Sequence, residues 1–181
     1  PVTEMVTGID IVETMLRIAA GEGLPFTRRE VRCRGHAVEV RLCAEDPANN
    51  FLPCSGVLAY VQFPDGGVRV ETGVESGSIV SPYYDSMLAK LIAWAETRGE
   101  ALDRVGRALD ETSIFGITTN QAFLKRLIDL PATRGATFHT RLIDEQIDQL
   151  VDKAKGPGIE ALALGACFWM MRPRQPASCG P

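Results

Sequence analysis

Val31-Arg32-Cys33-Arg34-Gly35-His36-Ala37-Val38-Glu39-Val40-Arg41-Leu42-Cys43 is the stretch on which the fold turns. Its residue types alternate with the period of an extended chain. His36, Val38, Val40 and Leu42 fall on one side, and Ala37, Glu39, Arg41 and Cys43 on the other. The pattern predicts a half-buried strand over 31–43, with His36 a hydrogen-bonded residue of the core. Further on, short strands are predicted near 56–63 and 67–72, flanking Pro64-Asp65-Gly66-Gly67, whose Asp-Gly reads as a hairpin turn. Residues 87–95 read as a buried strand.

The helices come mostly after these strands. An early one is predicted over 8–20, with Ile9, Val12, Leu16 and Ala19 on one face and Gly21 as its stop. Ala101, Leu102, Val105, Ala108 and Leu109 mark an amphipathic helix over 98–112, and Phe123, Leu124, Leu127 and Ile128 mark another over 120–130. Thr140 is the predicted cap of a third, carrying Leu142, Ile143, Ile147, Leu150 and Val151. Strands first and helices later, without regular alternation, predict an α+β fold with a mostly antiparallel sheet backed by helices.

Composition narrows the function classes. The chain has 181 residues, 45% of them hydrophobic and 23% charged, the proportions of a folded soluble protein. Its net charge of −4 gives no reason to expect nucleic acid, whose binding proteins usually carry a basic excess. Five cysteines at 33, 43, 54, 167 and 179, with no Cys-x-x-Cys, read as reduced thiols. His36 and His139 are the only histidines, so no zinc site is expected. The longest apolar run, residues 161–171, is half the ~20 residues of a membrane helix, and Pro1-Val2-Thr3-Glu4, with neither a basic start nor an apolar run, is not expected to be a signal peptide. Residues 172–181, with three prolines, read as linker.

Two groups of side chains could carry chemistry. Glu39 and Arg41, two apart on a strand, project a carboxylate and a guanidinium to one side. Arg41 is permanently charged and presents a fork of donors that could stabilise a developing anion. By spacing alone, a solvent-facing ion pair is the more ordinary explanation. Tyr83, Tyr84 and Asp85, in Pro82-Tyr83-Tyr84-Asp85-Ser86-Met87, could line a cleft, or simply pack where a strand begins. No Gly-x-x-x-x-Gly-Lys-[Ser/Thr], Gly-x-Ser-x-Gly or His-Glu-x-x-His occurs. Residue types alone name no reaction.

Whole strings say more. Pro1-Val2-Thr3-Glu4-Met5-Val6-Thr7-Gly8-Ile9-Asp10, Leu16-Arg17-Ile18-Ala19-Ala20-Gly21 and Arg34-Gly35-His36-Ala37-Val38-Glu39-Val40-Arg41-Leu42-Cys43-Ala44-Glu45-Asp46-Pro47 resemble the C-terminal part of biotin carboxylases. Phe51-Leu52-Pro53, the Tyr83-Tyr84-Asp85 string and Gly116-Ile117-Thr118-Thr119-Asn120 follow in that family's order. The resemblance covers roughly residues 1–147. It departs at Ser81-Pro82, where the family has Pro-Pro, and at Cys54-Ser55-Gly56, where it has Ser-Pro-Gly; both lie at loops.

The resemblance implies the C-terminal part of an ATP-grasp enzyme that uses ATP, Mg2+ and bicarbonate to carboxylate biotin held on a carrier domain. It implies that Arg41 is the catalytic arginine stabilising the biotin enolate, and that Tyr83, Tyr84 and Asp85 bind substrate beside the same cleft. The family's nucleotide and metal ligands lie upstream of Pro1, so no metal ligand is expected here. The opening at Pro1 rather than Met is expected to mark a cut just after the family's catalytic strand.

Residues 1–20 would then end the ATP-grasp domain and 21–150 form the biotin carboxylase C-terminal domain. Residues 151–181 would be linker and the start of a docking domain, partly disordered. Continuation past 147 resembles the α chains of acyl-CoA carboxylases acting on 3-methylcrotonyl-, propionyl-, geranyl- or acetyl-CoA. The implied partners are the remainder of the carboxylase, a biotinyl carrier domain, a second copy across a dimer and a carboxyltransferase subunit. Nucleic acid and membrane are not expected. The implied compartment is the cytoplasm, or the mitochondrial matrix in a eukaryote. Two alternatives stand: a non-catalytic dimerisation or assembly module, and part of another ATP-grasp ligase.

Overall fold

The computed structural model describes residues 1–151 and 158–171, and the chain divides into two units, Pro1–Val151 and Asp152–Pro181. The first unit is organised around Met87–Ala95 (β8), the apolar run predicted as a buried strand. It is the middle strand of a sheet ordered β1-β8-β6, in which β1 is His36–Cys43 and β6 is Arg69–Thr72. Both neighbours run antiparallel to it. The α+β fold with antiparallel pairing is as the sequence predicts.

One face of this sheet carries Val38, Val40, Leu42, Ala89, Leu91, Ala93 and Val70, all in one hydrophobic core. Arg98–Glu111 (α3) packs across it. The predicted apolar set of α3 is buried without exception, and the Thr97 hydroxyl caps the helix by accepting from the Glu100 amide at 3.3 Å. Gln121–Asp129 (α4) and Leu142–Leu150 (α6) close the core with Phe123, Leu124, Ile128 and Leu150. Pro131–Arg134 (α5) is a single turn between them. A second, smaller core gathers Ala44, Leu58, Val80 and Leu88. Small two-stranded pairs surround it: Glu45–Asp46 (β2) with Leu52–Pro53 (β3), Gly56–Val57 (β4) with Ile79–Val80 (β7), and Tyr60–Gln62 (β5) with Ser113–Phe115 (β9).

Several expectations are corrected. The strand begins at His36, not Val31. Gly35 takes a left-handed φ of 64°, and a Cβ there would lie 2.5 Å from the Ala95 carbonyl oxygen and 2.6 Å from the Trp94 ring. Trp94 Nε1 donates to the Arg34 carbonyl at 2.9 Å, and the Arg34 amide donates to Val6, so residues before Gly35 turn out of the sheet. His36 is consequently exposed at the strand's first position, not a core residue.

The hairpin over 56–72 does not form. β5 pairs with β9 and β6 pairs with β8. Tyr60 and Val61 find apolar partners in Phe115 and Ile114, whereas Arg69 and Glu71 of β6 belong to a charged face. The helix predicted over 8–20 forms as Ile11–Ala19 (α2), and a further helix that the sequence reading did not expect, Val2–Thr7 (α1), precedes it. Gly8 ends α1 in a left-handed conformation, and the Asp10 side chain caps α2 by accepting from the Glu13 amide at 2.8 Å. Thr140 is no cap: α6 begins after Arg141, without a side-chain cap bond.

In the second unit, Ile159–Met171 (α7) is a helix on which the predicted apolar run falls. Ile159, Leu162, Leu164 and Met170 are exposed. The predicted linker over 172–181, with Cys179, lies outside the described residues. Cys33, Cys43, Cys54 and Cys167 are free thiols. Among the described residues no helix is long and apolar enough to cross a membrane.

Candidate functional site

The second face of the β1-β8-β6 sheet is polar, and the pairing register explains how. Arg41 of β1 lies opposite Lys90 of β8, which lies opposite Glu71 of β6; Glu39 lies opposite Ile92, and Ile92 opposite Arg69. Residues paired across antiparallel strands share a face, so one row charged throughout, Arg41–Lys90–Glu71, crosses the sheet beside a second in which buried Ile92 separates Glu39 from Arg69. α1 covers part of this face, and its Glu4 carboxylate accepts from Arg69 Nη1 at 2.9 Å.

The charges are partnered in a definite order. Glu71 sits between Lys90 and Arg69 and pairs with both. The Lys90 ammonium, then Arg69, holds the Glu71 carboxyl below its ordinary value of 4.5. Arg41 takes no part in that chain. Its Nε donates to Glu39 Oε1 at 3.2 Å, and its side chain is 70% exposed while that of Glu39 is 13% exposed. The bond uses the inner nitrogen, so the two terminal nitrogens face solvent. The other Glu39 oxygen lies 3.5 Å from the Pro1 nitrogen.

The backbone under Arg41 is fixed from the outer edge of β1, where no strand pairs. Asn120, buried at the start of α4, donates from Nδ2 to the Arg41 carbonyl at 3.1 Å. Its Oδ1 accepts from the Cys43 amide at 2.9 Å, and its own amide donates to the Cys43 carbonyl. One side chain thereby takes edge groups that would otherwise be open. The register also slips between Leu42 and Cys43, a bulge that ends regular pairing two residues past Arg41.

Gly116, which opens the string ending in Asn120, has a φ of 114°. A Cβ there would overlap the Val57 carbonyl oxygen, so the chain just past β9 runs against the β4–β5 connection with no room for a side chain at 116.

The string over 82–87 sits where β8 begins. The Ala44 amide donates to the Ser86 carbonyl at 2.8 Å, and Ser86 Oγ donates to Glu45 Oε1 at 2.6 Å. Asp85 Oδ1 accepts from the Met87 amide at 3.2 Å. Tyr83 and Tyr84 are 90% and 85% exposed, so neither is packed in the strand's start. Partial burial pushes the Cys43 thiol up, Glu45 and Asp85 add to the push, and Ser86 and Arg41 oppose it. Arg41 and Asp85 therefore lie near one thiol from different elements, and the two tyrosines stand in solvent on the adjoining loop. The ladder of Glu71, Lys90, Arg69 and Glu4 and the Asn120 clamp were not singled out by sequence. Period-two alternation could have raised Lys90 and Glu71, but only the register sets them beside Arg41.

Residues 39–145 match the family described as biotin carboxylase C-terminal domain, and residues 1–27 match the carbamoyl-phosphate synthase L chain, ATP binding domain. The chain is 39% identical over 180 residues to the α chain of the mitochondrial methylcrotonoyl-CoA carboxylase of Mus musculus, covering 98% of this chain and 25% of that one. It is 46% identical over 148 residues to the biotin carboxylase of Halalkalibacterium halodurans, covering 81% and 32%. Among solved structures, it resembles the biotin carboxylase domain of a thermophilic 2-oxoglutarate carboxylase bound to bicarbonate. That match has a TM-score of 0.82 and 40% identity, and covers 85% of this chain and 35% of that one. The chain thus spans a quarter to a third of the length of these curated relatives.

Proposed function

The chain belongs to the biotin carboxylase C-terminal domain family, and on that footing we propose that it is part of the ATP-dependent carboxylase component of a biotin-dependent acyl-CoA carboxylase. The complete enzyme carboxylates carrier-held biotin with ATP, Mg2+ and bicarbonate. Residues 1–20 end its ATP-grasp domain, 21–150 form its C-terminal domain, and 151–181 lead into a docking domain; the family matches over 1–27 and 39–145 support these limits. Among the described residues no group of three His, Cys, Asp or Glu could hold a metal ion, so no metal-dependent step is assigned to them.

The observation that carries the assignment is the state of Arg41. It is a guanidinium fixed on a rigid strand, bonded at Nε and open at both terminal nitrogens. Such a fork suits the ureido oxygen of biotin as negative charge gathers on it, because its donors are already aimed and need no reorganisation. Tyr83, Tyr84 and Asp85 bind substrate on the loop beside Cys43. The acyl-CoA assignment is supported by extent: the methylcrotonoyl-CoA carboxylase α chains of mouse and Dictyostelium discoideum align over 95–98% of this chain, including the segment past 150. The Halalkalibacterium biotin carboxylase and a pyruvate carboxylase component of Methanothermobacter thermautotrophicus align over 80–81%. A biotinyl carrier domain, a dimer partner and a carboxyltransferase subunit complete the assembly, which works in the cytoplasm or the mitochondrial matrix.

The test is Arg41→Ala in the complete subunit. Biotin carboxylation is expected to fall ~10²–10³-fold, the usual loss for one aimed charge-stabilising donor, with ATP binding retained. The exposed apolar stripe of α2, including Val12, Met15 and Leu16, favours a second role in assembly. If assembly were the sole role, Arg41→Ala would leave turnover per folded subunit near normal.

A further inference from the structure

The ion pair between Glu39 and Arg41 is lopsided. The acid is nearly covered and the base is mostly in solvent. A covered carboxylate has few rotamers open to it, whereas an exposed arginine has many. Of the two, only Glu39 has a position of its own to impart. It imparts it at Nε, and so restrains the plane of the guanidinium without occupying either terminal nitrogen.

Glu39 meets the Pro1 nitrogen at 3.5 Å through its other oxygen, while the neighbouring side-chain cations of the sheet leave Oε1 to Arg41. Lys90, directly across from Arg41, could compete for Glu39 or for any anion Arg41 meets, but its ammonium is taken by Glu71. Arg69, in the same row as Glu39, is shared by Glu71 and Glu4. The two cations nearest the pair in register are thus held by other carboxylates. Asn120 fixes the Arg41 backbone from the strand edge, so what is left free is the swing of the side chain, and Glu39 removes it.

We propose that Glu39 is the positioning residue for Arg41, aiming both terminal nitrogens outward toward the anionic substrate. The proposal rests on the assignment of Arg41 to biotin carboxylation made above. Glu39 touches no substrate and acts only through Arg41, so its worth lies in orientation rather than in the folding contribution of a partly exposed ion pair.

The experiment is a double-mutant cycle in the complete subunit, read as kcat and KM for biotin carboxylation. Glu39→Ala is expected to lower kcat about tenfold through misplacement of the fork, with KM for ATP unchanged. Glu39→Gln, whose amide oxygen still accepts from Nε, is expected to stay within about threefold of the parent. In the Arg41→Ala background, adding Glu39→Ala is expected to cost nothing further. Costs that multiply in the double variant would overturn the proposal, because they would give Glu39 a role separate from Arg41. So would full kcat in Glu39→Ala where Arg41→Ala has lost it. Full activity in Arg41→Ala would instead overturn the assignment beneath the proposal. Should Glu39→Ala fail to fold, Glu39→Asp replaces it, since a carboxylate one methylene shorter cannot keep the 3.2 Å bond; kcat lower than in Glu39→Gln supports the proposal, and equal values refute it.

Discussion

The two faces of the β1-β8-β6 sheet come from the same strands, yet they answer to different physics. On the helix side, Val40, Leu42 and Leu91 are packed against α3 and α4 with no polar partner required. On the other side, Glu39, Arg41, Lys90, Glu71 and Arg69 are held by paired charges, and Arg41 is the most exposed of them. Burial stabilises the first face in proportion to apolar area, whereas screened ion pairs contribute little to the second. The strand therefore supplies stability with one set of residues and aims a charge with the other. Mutations on the two faces should separate cleanly into folding effects and activity effects.

The largest break in that comparison is expected from the packed face. Leu91 is fully buried in the centre of β8, and Leu91→Ala should cost about 2–5 kcal/mol, read as a lowered urea midpoint in chemical denaturation. Asn120→Ala comes next. It leaves the Arg41 carbonyl and the Cys43 amide without the side chain that satisfies them, at about 1–3 kcal/mol. It should also blur the division between faces, because hydrogen exchange at the Cys43 amide should quicken while that in the middle of β8 does not.

The smallest effect belongs to the charged face. Glu71→Gln should cost less than about 1 kcal/mol at neutral pH, with a signature in acid. A carboxylate held below its ordinary value of 4.5 contributes stability that is complete above that value and is lost as pH falls through the folded one. The parent should therefore lose stability more steeply than Glu71→Gln below about pH 4.5. Parallel acid titrations would show that Lys90 and Arg69 do not hold the Glu71 charge.

What the sequence could disclose follows the same division. β8 and α3 were legible because their signals are local: a continuous apolar run, and a helical stripe. The Glu39–Arg41 pair was legible for the same reason, since two positions on one strand need no knowledge of neighbours. The 56–72 hairpin misled because Asp65-Gly66 marks a turn without saying which strands leave it together. The preference of Tyr60 and Val61 for Phe115 and Ile114, more than 50 residues away, decided that. The Lys90–Glu71 ladder was hidden likewise: register, not spacing, brings Lys90 opposite Arg41. His36 kept its parity but lay beyond the reach of the helices that bury Val40 and Leu42.

Cys43 adds a consequence for durability. Its thiol stands two residues from Arg41, and burial with nearby Glu45 and Asp85 keeps it protonated well above neutral pH. Oxidants and alkylating agents react with thiolate, so the sulfur beside Arg41 is chemically quiet. Cys33, exposed outside the sheet, meets such reagents more readily. Cysteine oxidation would therefore begin away from Arg41.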